Sequence, residues 1–150
     1  MKTLLISFSL FLAFTSLSQP NHDFVCGPDE IAFDGNDLIS YYTGKAVKGS
    51  AKYSYTYKEL NLQFASKENL EKFKADPDKY LPAYGGYCAI ALTYGNFVRP
   101  DFNQFKVQEG ELLFFEVRAF YNGKTAWEKD PRIHKIVADA KYRDLKKKEN

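Results

Sequence analysis

Tyr53-Ser54-Tyr55-Thr56-Tyr57, a short polar link over Lys58 to Asn61, Leu62-Gln63-Phe64 and then Ser66 to Asp76 form the passage that decides the fold. Strict alternation puts three tyrosines on one face of a strand and two hydroxyls on the other. Leu62-Gln63-Phe64 returns as the partner strand of a hairpin. Ser66 has the hydroxyl that a helix N-cap needs, and Leu70 and Phe73 mark the apolar stripe of an amphipathic helix running to Asp76. Pro77 starts a further short helix, for which Asp76 is the expected cap. A hairpin followed by helices predicts an α+β domain, not a sheet with alternating crossovers.

The flanks repeat that grammar. Upstream, Asp34-Gly35-Asn36-Asp37 between apolar runs predicts a tight turn, and Leu38 to Tyr42 is a strand or a single helical turn. Downstream, Tyr84-Gly85-Gly86-Tyr87-Cys88-Ala89 sets a thiol between a Gly-Gly break and an apolar run, Cys88 to Leu92, that Gly95 ends. Adjacent glycines permit positive φ or close approach, which suits either a site or a tight corner. Phe105 to Gln108 and Leu112 to Val117 flank Glu109-Gly110 as a second hairpin, and Lys124 to Asp130 and Ile133 to Leu145 close the chain as helices. The expected architecture is a small single α+β domain with two β-hairpins packed against several short helices.

At 150 residues the chain suffices for one domain with a proper core. Hydrophobic content of 45% and charged content of 27% argue against wholesale disorder. Aromatics reach 17%, which predicts either a ring-filled core or an aromatic binding face. Residues 1–18 read as a secretory signal peptide: Lys2 gives a positive start, Leu4 to Phe14 an apolar run, and Ser16-Leu17-Ser18 a small-x-small cleavage pattern. The mature domain is then 19–150, exported to a periplasm or the medium, with no stable membrane insertion once the signal is removed. Lys141 to Lys148 is strongly basic, but without a nucleic-acid-binding motif it reads as a solvated helix end.

Phe64-Ala65-Ser66-Lys67-Glu68-Asn69-Leu70-Glu71-Lys72-Phe73-Lys74-Ala75-Asp76-Pro77-Asp78-Lys79-Tyr80 resembles the core signature of the YHS-domain family. Asp34 to Asp37 with Tyr41-Tyr42, Gly44 to Ser50, Tyr84 to Ala89, Trp127 to Asp130 and Ile136 to Ala140 are similar to its longer secreted branch. The resemblance covers nearly the whole mature chain and implies the α+β fold. Shorter members, which handle metals, often carry paired cysteines where this chain has Ala65 and Asn69. By this resemblance the helix has kept its packing role and lost its ligands, and a closed site of four cysteines is excluded within one chain.

Four residues remain for soft-metal chemistry: His22, Cys26, Cys88 and His134. A copper or zinc contact built on Cys88, with His134 as the candidate partner, is one expectation. A Cys26–Cys88 disulfide is its competitor, since export permits one. A reactive Cys88 is the third, because a thiol in the first turn of a helix has its pKa lowered by the N-terminal partial charge. Sequence elbows, zinc-binding helices and phosphate loops of known hydrolases and transferases are missing.

These residues leave three readings. The first is a metal- or small-ligand-binding accessory module with its ligand face at Tyr84, Gly85, Gly86, Tyr87, Cys88 and Trp127. The second is a thiol-dependent redox protein using Cys88. The third is an interaction domain with a Cys26–Cys88 bridge and no chemistry.

Overall fold

The computed structural model describes residues 23–27 and 29–149; the expected signal peptide and His22 lie outside them. Among the described residues the chain forms six α-helices and three two-stranded antiparallel sheets. The α+β class is as read from the sequence.

The first hairpin pairs β1 (Ser50–Tyr57) with β2 (Leu60–Phe64), Tyr57 opposite Leu60 and Tyr55 opposite Leu62. Its loop is Lys58-Glu59 alone, with φ of 47° and 66°, so β2 starts two residues earlier than the sequence suggested. Two-residue hairpin loops demand left-handed backbone, and here neither residue is glycine. Burial explains why the chain accepts this: Leu60, Leu62 and Phe64 alternate into the core, and the register that buries them fixes the turn. Along β1 the tyrosines form the half-buried face, and Tyr55 and Tyr57 both lie edge-on to Phe73 of α2 (Lys67–Ala75). Ser66 caps α2 by accepting from the Asn69 amide at 3.1 Å. Asp76 occupies the capping position before α3 (Pro77–Tyr80), but its side chain makes no capping bond; Pro77 at the first position has already removed one orphan donor.

The second hairpin pairs β3 (Asp101–Gln108) with β4 (Glu111–Phe115) around Glu109-Gly110. β4 is buried on both faces and divides the core. Leu112 and Phe114 point into one cluster with Phe33, Tyr41, Phe64 and Phe102, whereas Leu113 and Phe115 point into another with Cys88, Ile90, Trp127 and Ala138. Period-two alternation is thus used to serve two cores instead of a core and solvent. After Phe115 a third small hairpin follows, β5 (Val117–Arg118) with β6 (Tyr121–Asn122), where the sequence predicts no element beyond a strand ending at Val117.

Between α3 and α4 (Ala89–Thr93) the chain runs irregularly beside β4, bridging Pro82 to Leu112 and Cys88 to Phe114. The helix α1 (Leu38–Tyr41) is a single turn, and α5 (Gly123–Trp127) and α6 (Pro131–Glu149) pack behind the second cluster.

Candidate functional site

Two left-handed turns meet at the centre of the region singled out by the Gly-Gly break. Phe33, Asp34 and Gly35 have φ of 54°, 54° and 72°; Tyr84, Gly85 and Gly86 have 57°, 62° and 84°. A Cβ on Gly86 would lie 2.8 Å from the Phe33 ring, and one on Gly85 would lie 2.0 Å from the Asp23 carbonyl oxygen. The segment after the expected cleavage point therefore lies directly on Gly85, with the Val25 amide donating to the Gly85 carbonyl at 2.9 Å. Both glycines are required by chain packing.

The surrounding side chains are tied down. Tyr84 donates its hydroxyl to Asp139 Oδ1 at 2.7 Å, and burial, then that carboxylate, pushes its phenol far up. Lys135 pairs with the same carboxylate and with Glu111. Tyr87 donates to the Phe24 carbonyl at 3.2 Å and packs on Phe97. Arg99 clamps the N-terminal segment, reaching the Val25 carbonyl, Glu30 and Asp34.

Cys88 stands at the N-cap of α4, as the redox reading needs, yet its exposure is 0%. Desolvation pushes the thiol up, outweighing the amides of Ala91, Glu116 and Ile90 that favour the thiolate. Its Sγ accepts from the Glu116 amide at 3.2 Å. Cys26 is arranged alike: Sγ accepts from the Phe33 amide at 3.2 Å, and burial pushes the thiol up to about 11. The expected disulfide is not formed. Both cysteines are free, and each is buried in a different cluster, Cys26 beside Phe33 and Cys88 behind β4.

The metal expectation is likewise not assembled. His134 Nδ1 lies 2.9 Å from the Trp127 carbonyl, an acceptor, so Nδ1 carries the proton and donates, while the imidazole packs against the Trp127 ring. Among the described residues no group of three or more His, Cys, Asp or Glu is placed to hold a metal ion. Trp127 is fully buried, its Nε1 donating to Gln108 Oε1 at 2.9 Å, so it belongs to the core and not to a ligand face. Of the six residues expected to form that face, Tyr84 and Gly85 line a cavity of about 680 Å³ with Phe24, Lys58, Glu59 and Tyr142.

Compared with protein-family models, curated proteins and solved structures, the chain matches none.

Two features escaped the sequence reading. One is Asp37, expected only as a turn or cap residue. It does cap α1, accepting from the Ile39 amide at 2.8 Å, but its second oxygen also accepts from the Ala65 amide at 2.9 Å and from Asn69 Nδ2 at 2.6 Å. The other is the group Tyr94, Glu116, Arg118 and Tyr121 around a separate cavity. Its sequence signal is a lone carboxylate, Glu116, inside the apolar run Leu112 to Val117.

The buried thiol makes the fold sensitive to base. Above pH 9 an unfolded chain gives up the Cys26 proton, while the folded chain keeps it to about 11. The folded state then binds more protons, so stability is complete below the lower value and falls as pH rises through the higher one. Tyr42, pushed up to about 12 by burial, acts in the same direction. The Cys26 contribution alone is about 3 kcal/mol. Urea midpoints measured between about pH 8 and about pH 11 are expected to fall, and less steeply in Cys26→Ala. A flat midpoint across that window contradicts the assignment.

Proposed function

We propose that this chain is a non-catalytic binding module that holds a small zwitterionic molecule in the groove beside Tyr84. Following the resemblance of its sequence, it is an accessory module of the YHS type, exported by residues 1–18. The observation that carries the reading is the 680 Å³ cavity, within the usual size range of small-molecule sites. Its wall combines charges of both signs, Lys58 with Glu59 and Asp23, Lys58 also pairing with Asp78 at 2.8 Å and Asp23 with Lys146 at 2.6 Å, with the apolar and aromatic surfaces of Phe24, Leu81 and Tyr142. Such a wall suits a molecule that carries both charges on a short body. Two residues of the expected ligand face, Tyr84 and Gly85, lie on it. Metal capture centred on Cys88 draws less support, because the thiol is buried and held in its protonated form.

The test is an NMR titration of the mature protein with free amino acids and dipeptides. Saturable amide shifts at Lys58, Glu59, Tyr84 and Gly85 are expected from at least one of them, and loss of the effect in Glu59→Ala. If no compound moves those amides in a saturable way, the groove is not the ligand site.

A further inference from the structure

The second cavity, about 380 Å³, opens between α4 and the β5–β6 hairpin. From its lining we infer that it binds a small organic cation, an ammonium group on a short apolar body. This site is separate from the Tyr84 groove and does not depend on it.

Glu116 is the reason. Its exposure is only 8%, and a carboxylate taken out of water needs a cationic or hydrogen-bonding partner. The partner present is Arg118, whose Nε donates to Oε2 at 2.5 Å. Arg118 is a poor permanent partner. It sits two residues away on a two-residue strand, its side chain is 65% exposed, and it engages through Nε instead of the two-pronged fork that makes arginine–carboxylate pairs strong. A ligand ammonium entering the cavity can take over the carboxylate while the guanidinium, already largely exposed, swings into solvent, so the buried carboxylate keeps a cationic partner.

The walls suit that ligand. Tyr94 and Tyr121 supply aromatic surface, whose faces attract cations, and Ala91 and Val98 supply apolar surface for a short alkyl body. Burial, then Cys88, Glu116 and Tyr94, push the Tyr121 phenol up while Arg118 pulls it down, so these groups share one electrostatic neighbourhood. Tyr94 is 76% exposed, which leaves its aromatic surface accessible at the cavity.

The backbone that carries the carboxylate is also held in place in advance. The Glu116 amide donates to Cys88 Sγ, and its carbonyl accepts from the Gly123 amide at 2.9 Å. A Cβ on Gly123 would lie 3.1 Å from that carbonyl and 3.0 Å from Ile90, so the hairpin is drawn tightly onto α4. Cys88 is thereby a positioning residue, fixing the backbone from which Glu116 reaches the cavity.

The experiment is an NMR and calorimetric titration of the mature protein with n-butylammonium, with n-butanol as the neutral analogue. Saturable shifts at Tyr94, Glu116 and Tyr121 are expected from the cation and not from the alcohol. Removing the internal competitor in Arg118→Ala tightens binding at least threefold, and Glu116→Gln weakens it at least tenfold. Should Glu116→Gln fail to fold, Tyr94→Ala, at an exposed position, serves instead and weakens binding severalfold. Equal response to the cation and the alcohol, or an Arg118→Ala variant that binds no more tightly, overturns the inference. Shifts confined to Tyr84 and Gly85 would do the same while leaving the Tyr84 groove intact.

Discussion

Asp37→Ala lowers the stability of the folded chain by about 3–5 kcal/mol, the summed cost of a lost helix cap and of neutral donors left without their acceptor. Asp37 is fully buried and collects three donors: the Ile39 amide on one oxygen, the Ala65 amide and the Asn69 side chain on the other. Through them one carboxylate joins the turn before α1 to the end of β2 and the first turn of α2. Alanine removes the α1 cap and leaves the part-buried Ala65 amide and Asn69 carboxamide without their acceptor, each costing about 1 kcal/mol or more. Asp37→Asn keeps the volume and the cap but turns an N–H toward donors, so it costs less, about 1.5–3 kcal/mol. Urea unfolding measures both, and a double-mutant cycle with Asn69→Ala should return a coupling of about 1–3 kcal/mol. An Asp37→Ala cost under about 1 kcal/mol would falsify the anchoring role.

Ala65 and Asn69 are the two positions at which the sequence resemblance to the YHS family leads to an expectation of paired cysteines. In the folded chain both address Asp37, one through its backbone and one through its amide. The end of β2 and the first turn of α2 are thus joined through one buried carboxylate.

What could be read from the sequence were features whose cause is local. The tyrosine alternation of β1, the Ser66 cap and the Glu109-Gly110 turn each depend on a few adjacent residues, and each forms as expected. Lys58-Glu59 was misjudged because neither residue advertises positive φ; the register of distant Leu60 and Leu62 imposes it. The Gly-Gly break was ambiguous for a similar reason. Its glycines answer to Asp23 and Phe33, some fifty or more residues upstream, and nothing in their own neighbourhood says so. Asp37 meets Ala65 and Asn69 at separations of 28 and 32 residues, beyond the reach of any spacing rule. The two-sided burial of β4 was hidden too, because an apolar run looks the same whether it serves one core or two.

Both thiols are expected to be inert in the native protein and both countable once it is unfolded. At about pH 8 the upward shift of Cys26 from 9 to about 11 cuts its thiolate fraction roughly a hundredfold, before any allowance for burial. Cys88 is shifted in the same direction and has no exposed surface, so a reagent must wait for the structure to open. A native reaction with a disulfide reagent should therefore run at least about a hundredfold slower than in guanidinium, where two thiols per chain are released. The comparison separates the readings that the sequence left open. A thiol that reacts natively at the rate of the unfolded chain would restore Cys88 or Cys26 as a redox group and remove the helix-end desolvation argument. No thiol even in guanidinium would mean that the two cysteines are joined, which requires the two clusters on either side of β4 to be rearranged so that Cys26 and Cys88 meet. Slow native reaction with two thiols recovered leaves each sulfur as an internal acceptor for one backbone amide, Phe33 for Cys26 and Glu116 for Cys88, and moves the chemistry of the molecule to its cavities.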